Sequence, residues 1–190
     1  MKQFYMFLSV LLVTVLAGTG ISNAVETGDS ISSFLANDAG GKLWQSRDHN
    51  ENLLVIYFYP AALTGGCTAQ ACSFRDDKGD LETMGVTVVG VSGDPVVNLN
   101  HFKKVNHLNY TLLSDVNGVI ASLFEVPKRK GGVLLKEIDG EKITLKRSYT
   151  FARWTFVVDQ NTVVYKDTDV EAQTDSRKIK TFIKEYLQSE

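Results

Sequence analysis

Two cysteines, Cys67 and Cys72, lie five positions apart near the start of a predicted helix that runs to about Met84. A helix N-terminus presents free backbone N–H groups and a partial positive charge, and both favour a thiolate over a thiol. Cys67 is therefore expected to be a reactive nucleophile near neutral pH. From its position alone, an inert cysteine buried beneath the helix is an equally good interpretation.

The spacing of the two cysteines is incompatible with a disulfide inside an intact helix. Five helical residues rise about 7.5 Å, whereas a disulfide needs Cα atoms within about 6.8 Å. Cys67 and Cys72 can bond only if the first one or two turns unwind. A structural disulfide is the weaker interpretation, because it would break its own helix and a short loop gives little stabilisation. The spacing favours a redox cycle with a local order–disorder step.

The elements that must position these cysteines follow from the hydrophobic pattern. Residues 53–60, LLVIYFYP, form a continuous apolar run that is typical of a strand covered on both faces and ended by Pro60. Residues 86–94, VTVVGVSGD, predict a second buried strand. Asp94 and Pro95 then predict a helix start, as N-cap and first helical residue.

Turn signals divide the rest of the chain. Residues 32–49 predict two strands joined at Gly40-Gly41, and further hairpins are predicted around Asp139-Gly140 and Gln160-Asn161. The last helix has one apolar face, formed by Ile179, Phe182, Ile183, Tyr186 and Leu187. Strands that alternate with helices, followed by a hairpin and a helix, predict an α/β fold with a mixed sheet covered on both sides.

Residues 1–24 predict a signal peptide, and residues 25–190 predict one domain. Lys2 precedes the apolar run FYMFLSVLLVTVLAG, and small residues stand before the cleavage site after Ala24. The run is short for a membrane span, although a retained N-terminal anchor is the alternative. The protein is thus expected to be exported, to the bacterial periplasm or outside the cell, without membrane association after cleavage.

Charge and histidine content limit the partners of the chain. The 190 residues carry a formal net charge of −2, which argues against nucleic acid. The basic clusters at residues 128–130 and 146–147 are expected to be a solvated surface. The histidines show no metal-ligand spacing, so the sequence implies no metal site. They are His49, His101 and His107. No bound cofactor is implied either, because the expected chemistry needs only thiols.

The segment YFYPAALTGGCTAQACSFRD resembles the active-site segment of the peroxiredoxins, whose pattern P-x-x-x-T-x-x-C is matched by Pro60, Thr64 and Cys67. The second cysteine, Cys72, is similar to that of the bacterioferritin-comigratory-protein (peroxiredoxin Q) subfamily. The blocks VVGVSGD, LNYTLLSDVNGVIASLFEV and RWTFVVDQNTVVY extend the resemblance in the same order. The resemblance implies a thioredoxin-like mixed sheet flanked by helices, with an N-terminal β-hairpin extension.

The resemblance also implies a role for each site residue. Cys67 would be the peroxidatic thiolate, which becomes a sulfenic acid, and Cys72 would resolve it as an intramolecular disulfide. Thr64 would contact the thiolate and the peroxide, Arg153 would stabilise both, and Pro60 would shield the site from water. The implied substrates are hydrogen peroxide and organic hydroperoxides. The implied reductant is a thioredoxin-like protein, and the chain is expected to be a monomer.

Other interpretations of the same residues stay open at this point. An exported thiol–disulfide oxidoreductase is the main alternative, although such enzymes usually carry C-x-x-C. A copper-delivery protein would need a placed histidine, and a binding module with a structural disulfide would need no reactive thiol. Arg153 could lie on an exposed strand face, Thr64 could be a helix cap, and Pro60 could simply end its strand.

The chain departs from the peroxiredoxin pattern at several positions. Gly65 stands where the family usually has proline, and Gln70 where it usually has glutamate, which removes a negative charge near the thiolate. Trp154 replaces a usually smaller residue and is expected to narrow the pocket or to report on it by fluorescence. The hairpin from Lys128 to Tyr149 is longer than typical and has no assigned role.

Overall fold

The structure, a computed structural model, describes residues 25–138 and 140–189. The predicted signal peptide, residues 1–24, therefore lies outside the described residues. The strands are β1 (Leu35–Asp38), β2 (Leu43–Gln45), β3 (Leu53–Phe58), β4 (Val86–Ser92), β5 (Thr111–Ser114), β6 (Lys128–Lys130), β7 (Val133–Ile138), β8 (Glu141–Lys146), β9 (Tyr149–Phe151), β10 (Trp154–Asp159) and β11 (Thr162–Asp167). The α-helices are α1 (Gly65–Thr83), α2 (Val96–Val105), α3 (Val119–Leu123) and α4 (Asp175–Ser189).

A seven-stranded mixed sheet forms the centre of the described chain, in the order β11-β10-β3-β4-β5-β1-β2. Strand β4 is parallel to β3 and β5, and the other neighbours are antiparallel. The predicted α/β fold with a mixed sheet is confirmed. The predicted N-terminal hairpin is also confirmed, as β1–β2, and it joins the edge of the sheet through β5.

Strand β3 lies at the middle of the core, and all six of its residues are buried. Side chains alternate along a strand, so Val55 and Tyr57 face one side of the sheet and Ile56 and Phe58 face the other. The first side packs against α1, α2 and α4, and the second packs against α3 and the segment at residues 31–34. The apolar run LLVIYF is thus explained by a strand covered on both faces, as predicted.

Helix α1 begins at Gly65, two residues before Cys67, where the sequence predicted its start, and its N-cap is Thr64 with an extended backbone. Its buried face is formed by Cys67, Gln70, Ala71, Phe74 and Leu81. The helix ends at Thr83, just before Gly85, whose φ of +72° suits glycine. The chain thus leaves the buried strand β3, crosses a short loop, and places Cys67 in the first turn of a long helix.

The predicted start of the second helix is wrong. Pro95 has a ψ of 159° and is the N-cap, so α2 begins at Val96. Asp94 does not cap the helix because its buried carboxylate forms an ion pair with Arg147, with 2.8 Å between Oδ1 and Nε. Arg147 is only 8% exposed, so the expectation that residues 146–147 form a solvated surface is also wrong for this residue.

The long hairpin predicted around Asp139-Gly140 forms two small sheets beside the main one. Strands β7 and β8 pair with each other, and β6 pairs with β9 at the base of the hairpin. Leu134 and Leu145 of this hairpin pack into the same hydrophobic cluster as Cys67. No helix in the described part of the chain is long and apolar enough to cross a membrane.

Candidate active site

Cys67 lies in the first turn of α1, is 2% exposed, and carries a free thiol. Its Sγ accepts a hydrogen bond from Arg153 Nη2 at 3.5 Å. The sulfur therefore combines two features that stabilise a thiolate, a helix N-terminus and a neighbouring cation. Cys67 is buried beneath the helix, as in the interpretation of an inert cysteine. Its contact with Arg153, however, gives the thiol a charged partner.

Arg153 directly precedes β10 and is half-buried, so it does not lie on an exposed strand face. Its Nη1 donates to Gln70 Oε1 at 2.5 Å while its Nη2 points at Cys67. The guanidinium also explains Gly66, because a Cβ atom there would lie 3.2 Å from Arg153 Nη2. At Gly65 a Cβ atom would meet nothing within 4 Å.

Thr64 and Pro60 lie in the loop between β3 and α1. The Thr64 hydroxyl donates to the Ala61 carbonyl at 2.8 Å and makes no side-chain cap on α1, so the alternative of a capping hydroxyl is wrong. Pro60 is half-buried and follows the end of β3 by two residues. Pro60 and Thr64 precede Cys67 by seven and three positions in the chain. Their roles towards a peroxide stay predictions.

Cys72 lies on α1 within the same unbroken helix as Cys67, is half-buried and carries a free thiol. The helix is intact over both cysteines, which is the state in which we expect no bond between them. The Tyr110 hydroxyl donates to the Ala71 carbonyl at 2.9 Å and lies 2.7 Å from the Tyr57 hydroxyl. Burial raises the pKa of both tyrosines, so they stay neutral beside the thiols.

Gln70 connects Arg153 to a residue that sequence reasoning missed, Asp175 at the start of α4. Gln70 Nε2 donates to Asp175 Oδ2 at 2.7 Å, and Thr155 Oγ1 donates to the same oxygen at 2.8 Å. Gln70, Thr155 and Asp175 are fully buried. Burial is the main cause that raises the pKa of the Asp175 carboxyl, and the bonds from Gln70 and Thr155 oppose it. Nothing in the sequence signals this pairing, because the two residues are 105 positions apart.

The loop before α1 is fixed by Asp94, which sequence reasoning assigned to a helix cap. Its Oδ2 accepts from the Ala62 N–H at 2.8 Å and from Ser92 Oγ at 3.1 Å, and its Oδ1 accepts from Asn98 Nδ2 at 2.9 Å. Arg147 neutralises the buried charge. The base of the long hairpin is therefore linked to the active-site loop through one carboxylate.

The hairpin touches the loop a second time through Lys136 of β7. Lys136 Nζ donates to the Leu63 carbonyl at 2.9 Å. Leu63 has a φ of +65°, in the left-handed region that residues with a Cβ rarely adopt, so this backbone needs support from its surroundings. The hairpin from Lys128 to Tyr149, which had no assigned role, thus contacts both Asp94 and Leu63.

Trp154 does not narrow the pocket around Cys67. Its ring packs with Phe156 and lies 5.1 Å from Lys166 Nζ, in the hydrophobic cluster on the other side of the sheet. The alternation of the strand explains this, since Arg153 and Thr155 face the side of Cys67. Within residues 25–138 and 140–189, no group of three or more His, Cys, Asp or Glu side chains could hold a metal ion.

The site matches a family of known proteins in sequence and in fold. Residues 27–166 match the family described as AhpC/TSA. Peroxiredoxin Bcp of Escherichia coli (strain K12) is 38% identical over 104 residues, which cover 55% of this chain and 67% of that protein. The family match at residues 27–166 includes the segment that holds Cys67 and Cys72.

Two solved structures share the fold of the described chain. Peroxidoxin BcpB from Mycobacterium tuberculosis is 29% identical, with a TM-score of 0.70 over 85% of this chain and 97% of that one. A variant of PrxQ from Xylella fastidiosa is 20% identical, with a TM-score of 0.73 over 87% and 99% of the two chains, a likeness of fold. The thioredoxin-like fold implied by the sequence is thereby confirmed.

Proposed function

The chain belongs to the AhpC/TSA family and is a thiol-dependent peroxidase, and we propose that Cys67 is its peroxidatic thiol and Cys72 its resolving thiol. The observation that carries this assignment is the 3.5 Å contact between Arg153 Nη2 and Cys67 Sγ at the N-terminus of α1. A cation beside a helix N-terminus favours the thiolate that a peroxidase needs. Hydrogen peroxide and organic hydroperoxides are the proposed substrates.

In the first step the Cys67 thiolate attacks the terminal oxygen of the peroxide. The S–O bond forms and the O–O bond breaks, so the sulfur is oxidised to a sulfenic acid. The departing hydroxide or alkoxide takes a proton and leaves as water or an alcohol. Arg153 supplies a fixed positive charge for the thiolate and for the oxygen that gains charge, and such preorganised partners lower the barrier. Thr64 is proposed to contact the same atoms.

In the second step the Cys72 thiol condenses with the sulfenic acid. The S–S bond forms, the S–O bond breaks, and water leaves. Because α1 is intact from Gly65 to Thr83, its first turns must unwind before the sulfurs can meet. A thioredoxin-like protein then reduces the disulfide through its own dithiol and restores both thiols. Since both thiols belong to one chain, we propose that the active unit is a monomer.

The experiment that tests these roles mixes the reduced protein with hydrogen peroxide in a stopped-flow instrument and follows Trp fluorescence, with rapid-quench mass spectrometry in parallel. We expect fast oxidation that is lost in Cys67→Ser and that stops at the sulfenic acid in Cys72→Ser. The unmodified chain should end with a Cys67–Cys72 disulfide. Thiols that react no faster than free cysteine, but exchange readily with protein disulfides, would instead indicate an exported thiol–disulfide oxidoreductase.

The proposed place of action rests on the sequence. We propose that residues 1–24 are a signal peptide removed after Ala24, so that residues 25–190 act in the bacterial periplasm or outside the cell. The support is Lys2, the apolar run after it, and the small residues before the cleavage site. Protein purified from the periplasm of an expressing bacterium should begin at Val25. A chain that keeps Met1 and stays with the membrane would contradict the proposal.

A further inference from the structure

Resting on the proposed role of Cys67, we propose that Asp175 is a positioning residue that sets the reactivity of this thiol through Gln70 and Arg153. The four side chains form a continuous line of hydrogen bonds from the start of α4 to the sulfur. Asp175 does not touch the sulfur or the guanidinium. It acts by fixing the orientation of one buried amide.

The chemistry of the four groups allows only one arrangement of the Gln70 amide. An ionised carboxylate can only accept hydrogen bonds, and a guanidinium can only donate them. Gln70 therefore presents its Nε2 to Asp175, at 2.7 Å, and its Oε1 to Arg153, at 2.5 Å. The reversed amide would set a donor against Arg153 and an oxygen against Asp175. The carboxylate thus selects the amide orientation that holds Arg153.

Arg153 in turn needs this acceptor to stay aimed at Cys67. One nitrogen of the guanidinium is held by Gln70 Oε1, and the fixed geometry of the planar group then directs Nη2 to Cys67 Sγ. Thr155 steadies the other end of the line, because its hydroxyl donates to Asp175 Oδ2 at 2.8 Å. The line is buried at Gln70, Thr155 and Asp175, where polar contacts are strong because water is absent.

The placement of Asp175 argues against a purely structural role. An aspartate at the start of a helix can accept hydrogen bonds from the free backbone N–H groups there. In the described chain the hydrogen bonds of Asp175 go to Gln70 and Thr155, and its Oδ1 is buried without a partner. A buried carboxylate oxygen without a partner is unfavourable for folding. The hydrogen bonds of Asp175 therefore serve the line to Cys67 and not the backbone N–H groups of α4.

The test compares Asp175→Ala with Asp77→Ala in the full chain. Asp77 lies at the same contact between α1 and α4, where it accepts from Ser176 Oγ and Lys180 Nζ, but it is not part of the line to Cys67. We expect Asp175→Ala to lower the second-order rate constant with hydrogen peroxide at least about tenfold, since small errors in orientation have large effects on rate. Asp77→Ala should react like the unmodified chain.

Two further variants separate positioning from packing. In Asp175→Asn the amide oxygen can still accept from Gln70 and Thr155, so we expect it to recover most of the rate lost in Asp175→Ala. Gln70→Glu puts a second carboxyl against Asp175 and should react slowly. Combining Gln70→Glu with Asp175→Asn leaves one carboxylate, now facing Arg153 directly, and should restore the rate. A packing role predicts no such recovery.

The outcomes for the two proposals are distinct. An unmodified chain that does not react quickly with peroxide would overturn the proposed function. An unmodified chain that reacts quickly, with Asp175→Ala no slower than Asp77→Ala, would overturn only the role of Asp175. If Asp175→Ala does not fold, the comparison of Gln70→Glu with the double variant decides, and a double variant that reacts as slowly as the single one would overturn the proposal.

Discussion

The guanidinium of Arg153 occupies space that a side chain at Gly66 would need. A Cβ atom at Gly66 would lie 3.2 Å from Arg153 Nη2, whereas one at Gly65 would meet nothing within 4 Å. Both glycines lie in the first turn of α1. Alanine at either position alters the helix in the same way, but only the alanine at Gly66 would contact Arg153. The two substitutions therefore form a matched pair.

We expect Gly66→Ala to slow the reaction with hydrogen peroxide several-fold, because the new methyl group displaces the guanidinium that Gln70 holds. Gly65→Ala should keep the rate and gain up to about 1 kcal/mol of helix stability. Stopped-flow oxidation gives the rate, and urea unfolding gives the stability. Equal rates for the two alanine variants would show that Arg153 moves aside without losing its function.

At the scale of single residues, the sequence predicted the positions that stand in a motif. Pro60, Thr64 and Cys67 are close along the chain in a recognisable motif, and Arg153 begins a second recognisable segment, so the family resemblance could find them. Asp175 and Arg147 could not be found, because their partners Gln70 and Asp94 are 105 and 53 positions away. The expectation that Trp154 narrows the pocket is wrong because the pocket side of its strand was not known until β10 was placed beside β3.

The long hairpin acts on the active-site loop as an element. Lys136 of β7 holds the Leu63 carbonyl, and Arg147 beyond β8 holds Asp94, which in turn holds the Ala62 N–H. The first turns of α1, which directly follow this loop, must unwind before Cys67 can reach Cys72. The hairpin therefore opposes this rearrangement at two consecutive residues.

Lys136→Met should leave oxidation of Cys67 nearly unchanged and should speed disulfide formation about two- to tenfold, the range expected for one hydrogen bond worth about 0.5–1.5 kcal/mol. Lys142→Met is the matched control, because Lys142 is an exposed residue of β8 that pairs with Glu137. The second phase of the stopped-flow trace gives the rate of disulfide formation. A second phase that is equal in the two variants would contradict a restraining role for Lys136.

The ion pair between Arg147 and Asp94 has a second effect, on the stability of the elements that it joins. Both side chains are buried, so Arg147→Met would leave a buried carboxylate without its cation and should destabilise the fold by about 3–5 kcal/mol. Lys146→Met, at the neighbouring exposed position, should change stability by less than about 0.5 kcal/mol. Urea unfolding of both variants tests this, and similar midpoints would contradict it.

At the scale of elements, the sequence predicted most strands and helices because their patterns are local. The apolar run of β3 and the turn residues of the hairpins were sufficient for that. The start of α2 was predicted one residue too early, since Asp94 followed by Pro95 is typical of a helix start. The tertiary ion pair with Arg147 uses the aspartate instead, and a local pattern does not contain that information.

At the scale of the whole molecule, Asp175 supports activity through its hydrogen bonds but lowers the stability of the fold through its buried charge. Burial raises the pKa of this carboxyl in the folded state, so the folded protein binds a proton there more tightly than the unfolded chain does. The contribution of this group to stability is therefore full below its unfolded pKa of about 4 and is lost as the pH rises through the raised value. At pH values above the raised pKa, where Asp175 is charged, the group destabilises the fold.

Asp175→Asn should accordingly unfold at a higher urea concentration than the unmodified chain at pH 7, and the difference should shrink as the pH falls towards about 4. Other groups near Asp175 carry charge as well, namely Asp167, which raises its pKa, and Lys178, which lowers it. Asp167→Asn serves as the control, because it removes a neighbouring charge and keeps the line to Cys67. A difference that is the same at both pH values would contradict a buried, titrating Asp175.

The whole fold was predictable from the sequence to the extent that the family resemblance extends along the chain. The mixed sheet and its N-terminal hairpin follow from the pattern and the resemblance together. The meeting of α4 with α1 was not predictable, since it depends on how the last helix lies on the sheet. That meeting is what places Asp175 beside Gln70.

The intact helix that separates the two thiols also exposes the enzyme to its own substrate. After the first peroxide has reacted, the sulfenic acid on Cys67 lies in an ordered helix, which follows the loop that the hairpin holds, until the first turns of α1 unwind. During that interval a second peroxide molecule can oxidise the same sulfur to a sulfinic acid, which thiols do not reduce. The tightness with which α1 is held therefore sets the peroxide dose at which the enzyme is inactivated by turnover.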